Sequence, residues 1–190
     1  MNYLEIIGAL IGLIYLWLEY RVSIWLWLAG IVMPAVYIVV YYQAGLYADS
    51  GISLYYLIAG VYGWVIWQRR PARQEERQIT QTPCCRWLPM AVVFVALFLV
   101  IGEVLVRFTD STVPWLDSFT TALSFVAMWM LAHKYLEQWL VWIVVDVVSC
   151  GLYIYKEIYF TSVLYGLYAV IAVFGYMKWR QIMKSVDTNG

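Results

Sequence analysis

Apolar runs of close to twenty residues alternate with short polar breaks along almost the whole chain. A helix that crosses a bilayer needs roughly 20 mostly apolar residues. On that measure the pattern predicts seven transmembrane helices, at residues 3–20, 23–42, 50–68, 87–106, 115–132, 138–155 and 160–179. Only one connection is both long and polar, residues 69–86, and it is expected to be a surface loop within a single membrane domain, 1–190. No basic stretch precedes the first apolar run and no small-residue cleavage site follows it, so the first helix is expected to be retained.

The pattern also repeats. Shifted by 112 residues without a gap, Leu4 falls on Leu116, Trp17 on Trp129, Trp27 on Trp139 and Tyr41 on Tyr153. Further along, Tyr47 meets Tyr159, Ser50 meets Ser162, Tyr56 meets Tyr168, Gly63 meets Gly175 and Trp67 meets Trp179. The matches spread evenly, which argues against chance in an aromatic-rich chain. They predict an all-α membrane protein of 3+1+3 plan: a first three-helix unit at 3–68, a polar loop plus linker helix at 69–114, and a second unit at 115–180. A single intervening helix starts both units on the same side, the parallel repeat of SWEET-type carriers, whose substrate site lies near the midplane between the repeats.

Composition supports lipid as the solvent. The chain is 64% hydrophobic and 13% charged, against about half and about a quarter in soluble domains. Its formal net charge is zero, so no basic footprint for nucleic acid exists. Where the charges sit is more telling. With the 69–86 loop inside, ten cations (Arg21, Arg69, Arg70, Arg73, Arg77, Arg86, Lys134, Lys178, Arg180, Lys184) lie inside and two (Arg107, Lys156) outside. The positive-inside rule then puts the N-terminus outside and the C-terminus in the cytoplasm. The three cysteines have no metal-ligand spacing and there is one histidine, so neither a metal nor a cofactor is expected. Cys84 and Cys85 are adjacent in the polar loop, where palmitoylation is an alternative reading.

Candidate chemistry lies on a polar stripe. In helix 6, Trp139, Trp142, Asp146, Ser149 and Tyr153 follow steps of three and four, one face of a helix. Corresponding faces carry Trp27, Gly30, Pro34, Tyr37 and Tyr41 in helix 2, Ser53 and Tyr56 in helix 3, and Tyr165 and Tyr168 in helix 7; Ser124 of helix 5 joins the candidate lining. A packing reading competes: glycines allow close approach and tryptophans belt the interfaces. It is the better account of Gly63, Trp67, Gly175 and Trp179, which lie towards helix ends. Asp146 is the sharpest feature. A carboxylate near mid-span costs roughly 2.5–3.5 kcal/mol on the insertion scale unless water or a partner relieves it. No Lys or Arg lies deep in a span. One reading is a protonated acid bonded to a neighbouring hydroxyl. The other is a substrate-facing carboxylate among rings that stack on a flat ligand or cage a cation.

The chain resembles the PnuC family of vitamin transporters. Lys134-Tyr135-Leu136-Glu137-Gln138-Trp139-Leu140-Val141-Trp142 is similar to that family's Lys-Tyr-x-Glu-x-Trp-x-x-Trp stretch. Leu46-Tyr47-Ala48-Asp49 and Tyr62-Gly63-Trp64-Val65-Ile66-Trp67 resemble its Leu-Tyr-Ala and Tyr-Gly-Trp-x-x-Trp stretches. The resemblance implies facilitated diffusion of nicotinamide riboside across the bacterial inner membrane, with thiamine and riboflavin carried by other branches. It also implies a homo-trimer and a cytoplasmic kinase that traps the vitamin. Asp146 stands where the nicotinamide riboside pattern has Asn, Met33 where it has Asn, Ser53 where it has Gln and Gly60 where it has a further Asn. Amide side chains suit a carboxamide because they both donate and accept. An acid suits a cationic or amino-bearing ring, which makes thiamine the alternative substrate.

Alternating access about a central site is the expected mechanism. An enzyme is disfavoured, because His133 is the only histidine and no triad or metal set can be assembled from it. A non-transporting membrane scaffold is the remaining alternative, and it gives no reason for a midplane carboxylate among rings.

Overall fold

The computed structural model describes residues 3–43, 47–68 and 79–187. They form seven helices: α1 (Tyr3–Tyr20), α2 (Trp25–Gln43), α3 (Tyr47–Gln68), α4 (Cys84–Phe108), α5 (Pro114–Ala132), α6 (Gln138–Tyr155) and α7 (Tyr159–Asp187). By length and composition, α4, α5, α6 and residues Tyr159–Ser185 of α7 can each cross a membrane. Among the described residues of the first half, Ala9–Tyr20 and Trp25–Val39 are shorter apolar helices. The chain divides into two compact units, Met1–Gln78 and Ile79–Gly190, so α4 groups with α5–α7.

Three helix ends close in the same way without glycine. After α1, Ser23 N–H donates to Leu18 O at 2.9 Å and Val22 N–H to Glu19 O at 2.9 Å, with Val22 at φ 54°. After α5, Tyr135 N–H donates to Met130 O at 3.1 Å and Lys134 N–H to Leu131 O at 2.9 Å, with Lys134 at φ 55°. After α6, Ile158 and Glu157 do the same to Tyr153 and Ile154, with Glu157 at φ 59°. These are Schellman caps, which usually place Gly at the left-handed position. Here the helix–helix turns hold side chains there. Val22 and Lys134 are themselves 112 residues apart.

Helix contacts depend on close approach at glycines. In the first unit, a Cβ on Gly63 would lie 2.3 Å from the Trp27 ring, and Trp27 meets Trp67 edge-on at 5.6 Å. In the second, a Cβ on Gly175 would lie 2.6 Å from the Trp139 ring, and Trp139 meets Trp179 edge-on at 5.6 Å. Pro34 inside α2 has no N–H for the Gly30 carbonyl one turn back. Gly60 of α3 fits against that carbonyl: a Cβ there would be 2.9 Å from Gly30 O.

The aliphatic surface is wide. On α4, Leu88, Val92 and Val100 are 74%, 60% and 62% exposed. A soluble monomer rarely shows an apolar face of this extent; in lipid it is the expected exterior.

Several boundaries differ from the expectation. α4 starts at Cys84 rather than residue 87, directly after Pro83 as N-cap, so the exposed Cys84 and Cys85 lie on a helical first turn and not in a loop. α7 continues to Asp187 through a polar last stretch, with Lys184 favourably placed at the negative end of its dipole. Of the expected 69–86 surface loop, residues 69–78 lie outside the described residues. Residues 79–83 are not a free loop, since Ile79 and Thr82 are buried.

Candidate substrate site

α6 runs between two fastened ends. At one end Lys156 Nζ donates to both Asp117 oxygens at 2.9 and 3.0 Å, and Ser111 Oγ donates to Asp117 Oδ2 at 2.6 Å. At the other, Thr82 N–H and Oγ–H both donate to Glu137 Oε2, at 2.8 and 2.7 Å. Asp146 lies halfway along the helix, about 12 Å from either end at 1.5 Å per residue. It is buried, at 5% exposure. Among the described residues no side chain ion-pairs or hydrogen-bonds to its carboxylate. Tyr168 of α7 is within electrostatic reach of it.

Aromatic rings continue from this point. Tyr165 stacks on Tyr153 at 5.2 Å and 21°, and meets Tyr168 edge-on at 5.7 Å. One turn before Asp146, the Trp142 indole N–H is buried without an acceptor among the described residues, as is that of Trp139. Ser149, one turn after, is buried too. The second unit therefore brings together Asp146, Tyr165 and Tyr168, with Trp142 and Ser149 one turn to either side on α6. An acceptor, an unused donor and a tyrosine ladder suit a flat, polar-edged ligand.

Two expected residues have other employment. Trp139 is fully buried in the Gly175 notch and works in helix packing. Ser124 is buried and its hydroxyl donates to Thr120 O at 2.8 Å within α5. In the first unit, Ser53 is buried, Tyr37 is exposed and Tyr56 meets Tyr55 edge-on at 5.7 Å.

The sequence pattern missed one buried acid. Glu19 is 1% exposed near the end of α1, within electrostatic reach of Tyr15, which also feels Tyr56. The Tyr15–Glu19 spacing of one helical turn was the available signal. Arg21, two residues on, has its guanidinium 5.1 Å from the centre of the Trp17 ring.

A seven-helix chain with a buried mid-helix acid and an aliphatic exterior can be compared with known proteins. Residues 2–181 match the nicotinamide mononucleotide transporter family.

The chain belongs to that family.

Its members are transporters, not enzymes, and the chain is a multi-pass membrane protein of this group. The nicotinamide riboside transporter PnuC of Escherichia coli K12 is 25% identical, over 94% of this chain and 85% of its own length. The riboflavin/roseoflavin transporter RibM of Streptomyces davaonensis is 24% identical, over 92% of this chain and 83% of its own. The crystal structure of the vitamin B3 transporter PnuC superposes with a TM-score of 0.71 at 25% identity, covering 96% of this chain and 83% of that one. A vitamin transporter is thus the functional class that family and fold share.

Proposed function

We propose that this chain carries a small heteroaromatic vitamin, nicotinamide riboside in the first instance, across the bacterial inner membrane by facilitated diffusion. The observation that carries this reading is Asp146: a buried acid midway along α6, without a described ion-pair partner, beside Tyr168. A cation is the natural partner for such a carboxylate. The PnuC relatives, named for nicotinamide riboside, support that choice of substrate. Trp142, Ser149, Tyr165 and Tyr168 complete the lining in the second unit; Ser53, Tyr56 and Tyr37 are the candidates in the first.

Thiamine is the second reading, and it rests on Asp146 replacing an amide that a carboxamide would prefer. All seven helices span the bilayer in this account, with the N-terminus outside, the ten-to-two cation bias being the support. The units 3–68 and 115–180 are parallel repeats of the SWEET type, supported by helix bounds, the Val22 and Lys134 caps and tryptophan notches that recur at the 112-residue offset. An inside-negative potential favours entry of a monovalent cation by about 2.3 kcal/mol per 100 mV. A homo-trimer and a trapping cytoplasmic kinase are the partners the family resemblance suggests.

Uptake of labelled nicotinamide riboside, thiamine and riboflavin into vesicles holding the purified protein tests the proposal. Saturable entry of one cationic vitamin, stimulated by an inside-negative potential, is the expected result. Entry that needs an imposed proton gradient and ignores potential contradicts facilitated diffusion, and no uptake of any of the three contradicts the substrate class.

A further inference from the structure

Residues 79–83 form a short extended strap at the start of α4. Thr80 pairs with Tyr135 in a single parallel bridge: Thr80 N–H donates to Lys134 O at 3.2 Å and Leu136 N–H donates to Thr80 O at 2.9 Å. Beyond it, Glu137 takes two hydrogen bonds from Thr82 through one oxygen. Ile79 and Thr82 are 5% and 7% exposed, so the strap is bonded and packed onto the α5–α6 turn.

The attachment continues along α4. Met90 is buried in one cluster with Val126, Met130 and Tyr135, against which Phe94 packs. Phe94 and Phe98 then meet Phe119 edge-on, and Ser118 Oγ–H donates to the Phe98 carbonyl. Near the far end a Cβ on Gly102 would lie 2.4 Å from the Trp115 ring. An extended five-residue tether would normally leave a helix free to pivot. Here fixings at four successive levels of α4 oppose any pivot against α5.

We propose that α4 moves with α5–α7 as one four-helix body during transport, with Glu137 as the positioning residue that fastens its first turn through the strap. The strap then stays closed throughout the transport cycle. The linker helix is part of a moving body rather than a hinge arm. The idea rests on the transporter reading, because it concerns the states of a carrier.

Two measurements test it. In a Cys84→Ser, Cys85→Ser, Cys150→Ser background, Thr82→Cys and Glu137→Cys are bridged by a short bifunctional methanethiosulfonate reagent in vesicles. The bridged protein should transport nicotinamide riboside within about twofold of its own rate after reductant. A tenfold fall that reductant reverses would mean that the strap must open, and the proposal would be wrong. Hydrogen exchange on ligand-free protein reads the same contact without transport. The amide of Thr82, which donates to Glu137, should exchange at least tenfold more slowly in the native protein than in Glu137→Ala, with Glu137→Gln recovering most of the protection. Exchange in the native protein as fast as in Glu137→Ala overturns the proposal. Protection together with no transport by any form sinks the substrate reading alone.

Discussion

Trp27 and Trp139 are both fully buried, and each ring fills the notch of a glycine one helix later while meeting a second tryptophan at 5.6 Å. Midway along the same two helices the likeness ends. Pro34 stands opposite Asp146 in the shifted alignment, Tyr37 opposite Ser149 and Gly30 opposite Trp142. In the first unit the proline leaves a carbonyl that Gly60 covers at close range. In the second the same level holds a buried acid and an indole N–H without a partner among the described residues. The two units thus share their packing at the tryptophan notches and differ in polar character at mid-helix, the level at which the proposed ligand site lies. A closely filled notch constrains its residues tightly, whereas the mid-helix residues differ between the two units.

The most severe test of this likeness is removal of the two rings. Trp27→Ala and Trp139→Ala should each destabilise by about 3–5 kcal/mol, the usual loss for a buried aromatic. Thermal unfolding in detergent should show two similar drops in melting temperature; a drop in one alone would break the comparison. Filling the notches is milder. Gly63→Ala and Gly175→Ala should each cost about 1–3 kcal/mol by overpacking, and reducing the facing tryptophan to Phe in the same chain should recover part of it.

Next comes a difference between the units. Asp117 and Lys156 join the ends of α5 and α6, while position 44, which corresponds to Lys156, is Ala. The pair is about a quarter exposed, so Asp117→Asn should cost only about 1–2 kcal/mol, below the value for a fully buried pair. The loss should shrink in high salt, and a salt-independent change would point to packing instead. The smallest effect is expected at Arg107. Its ion pair with Glu103 has side chains 70% and 54% exposed, so Arg107→Ala should leave stability within about 0.5 kcal/mol.

Much of this architecture could be read before any coordinates. Apolar runs mark the seven helices, and four of them are long and apolar enough to cross a bilayer. Their ends were harder. Val22, Lys134 and Glu157 take left-handed conformations with no glycine to announce them. The strap was illegible for a related reason: Thr80 and Thr82 look like loop residues until Glu137, 55 positions from Thr82, is seen accepting from it. Asp146 stood out because a lone carboxylate in an apolar helix is rare. Glu19 did not, because two residues from Arg21 it reads as an interfacial acid, and only folding reveals its burial. The periodic stripe on α6 could not separate Trp139, which fills the Gly175 notch, from Trp142, one turn from Asp146, since both lie on one face and both indole N–H groups lack a partner among the described residues.

The carboxylate of Asp146 bears the account's central claim, and equilibrium binding reads it most directly. Quenching of tryptophan fluorescence by nicotinamide riboside should give saturable binding to the purified native protein. Asp146→Asn, with its fold checked by an unchanged melting profile, should bind at least tenfold more weakly, a loss of about 1.4 kcal/mol or more. Equal affinity of the two proteins would contradict the assignment of Asp146 to the substrate.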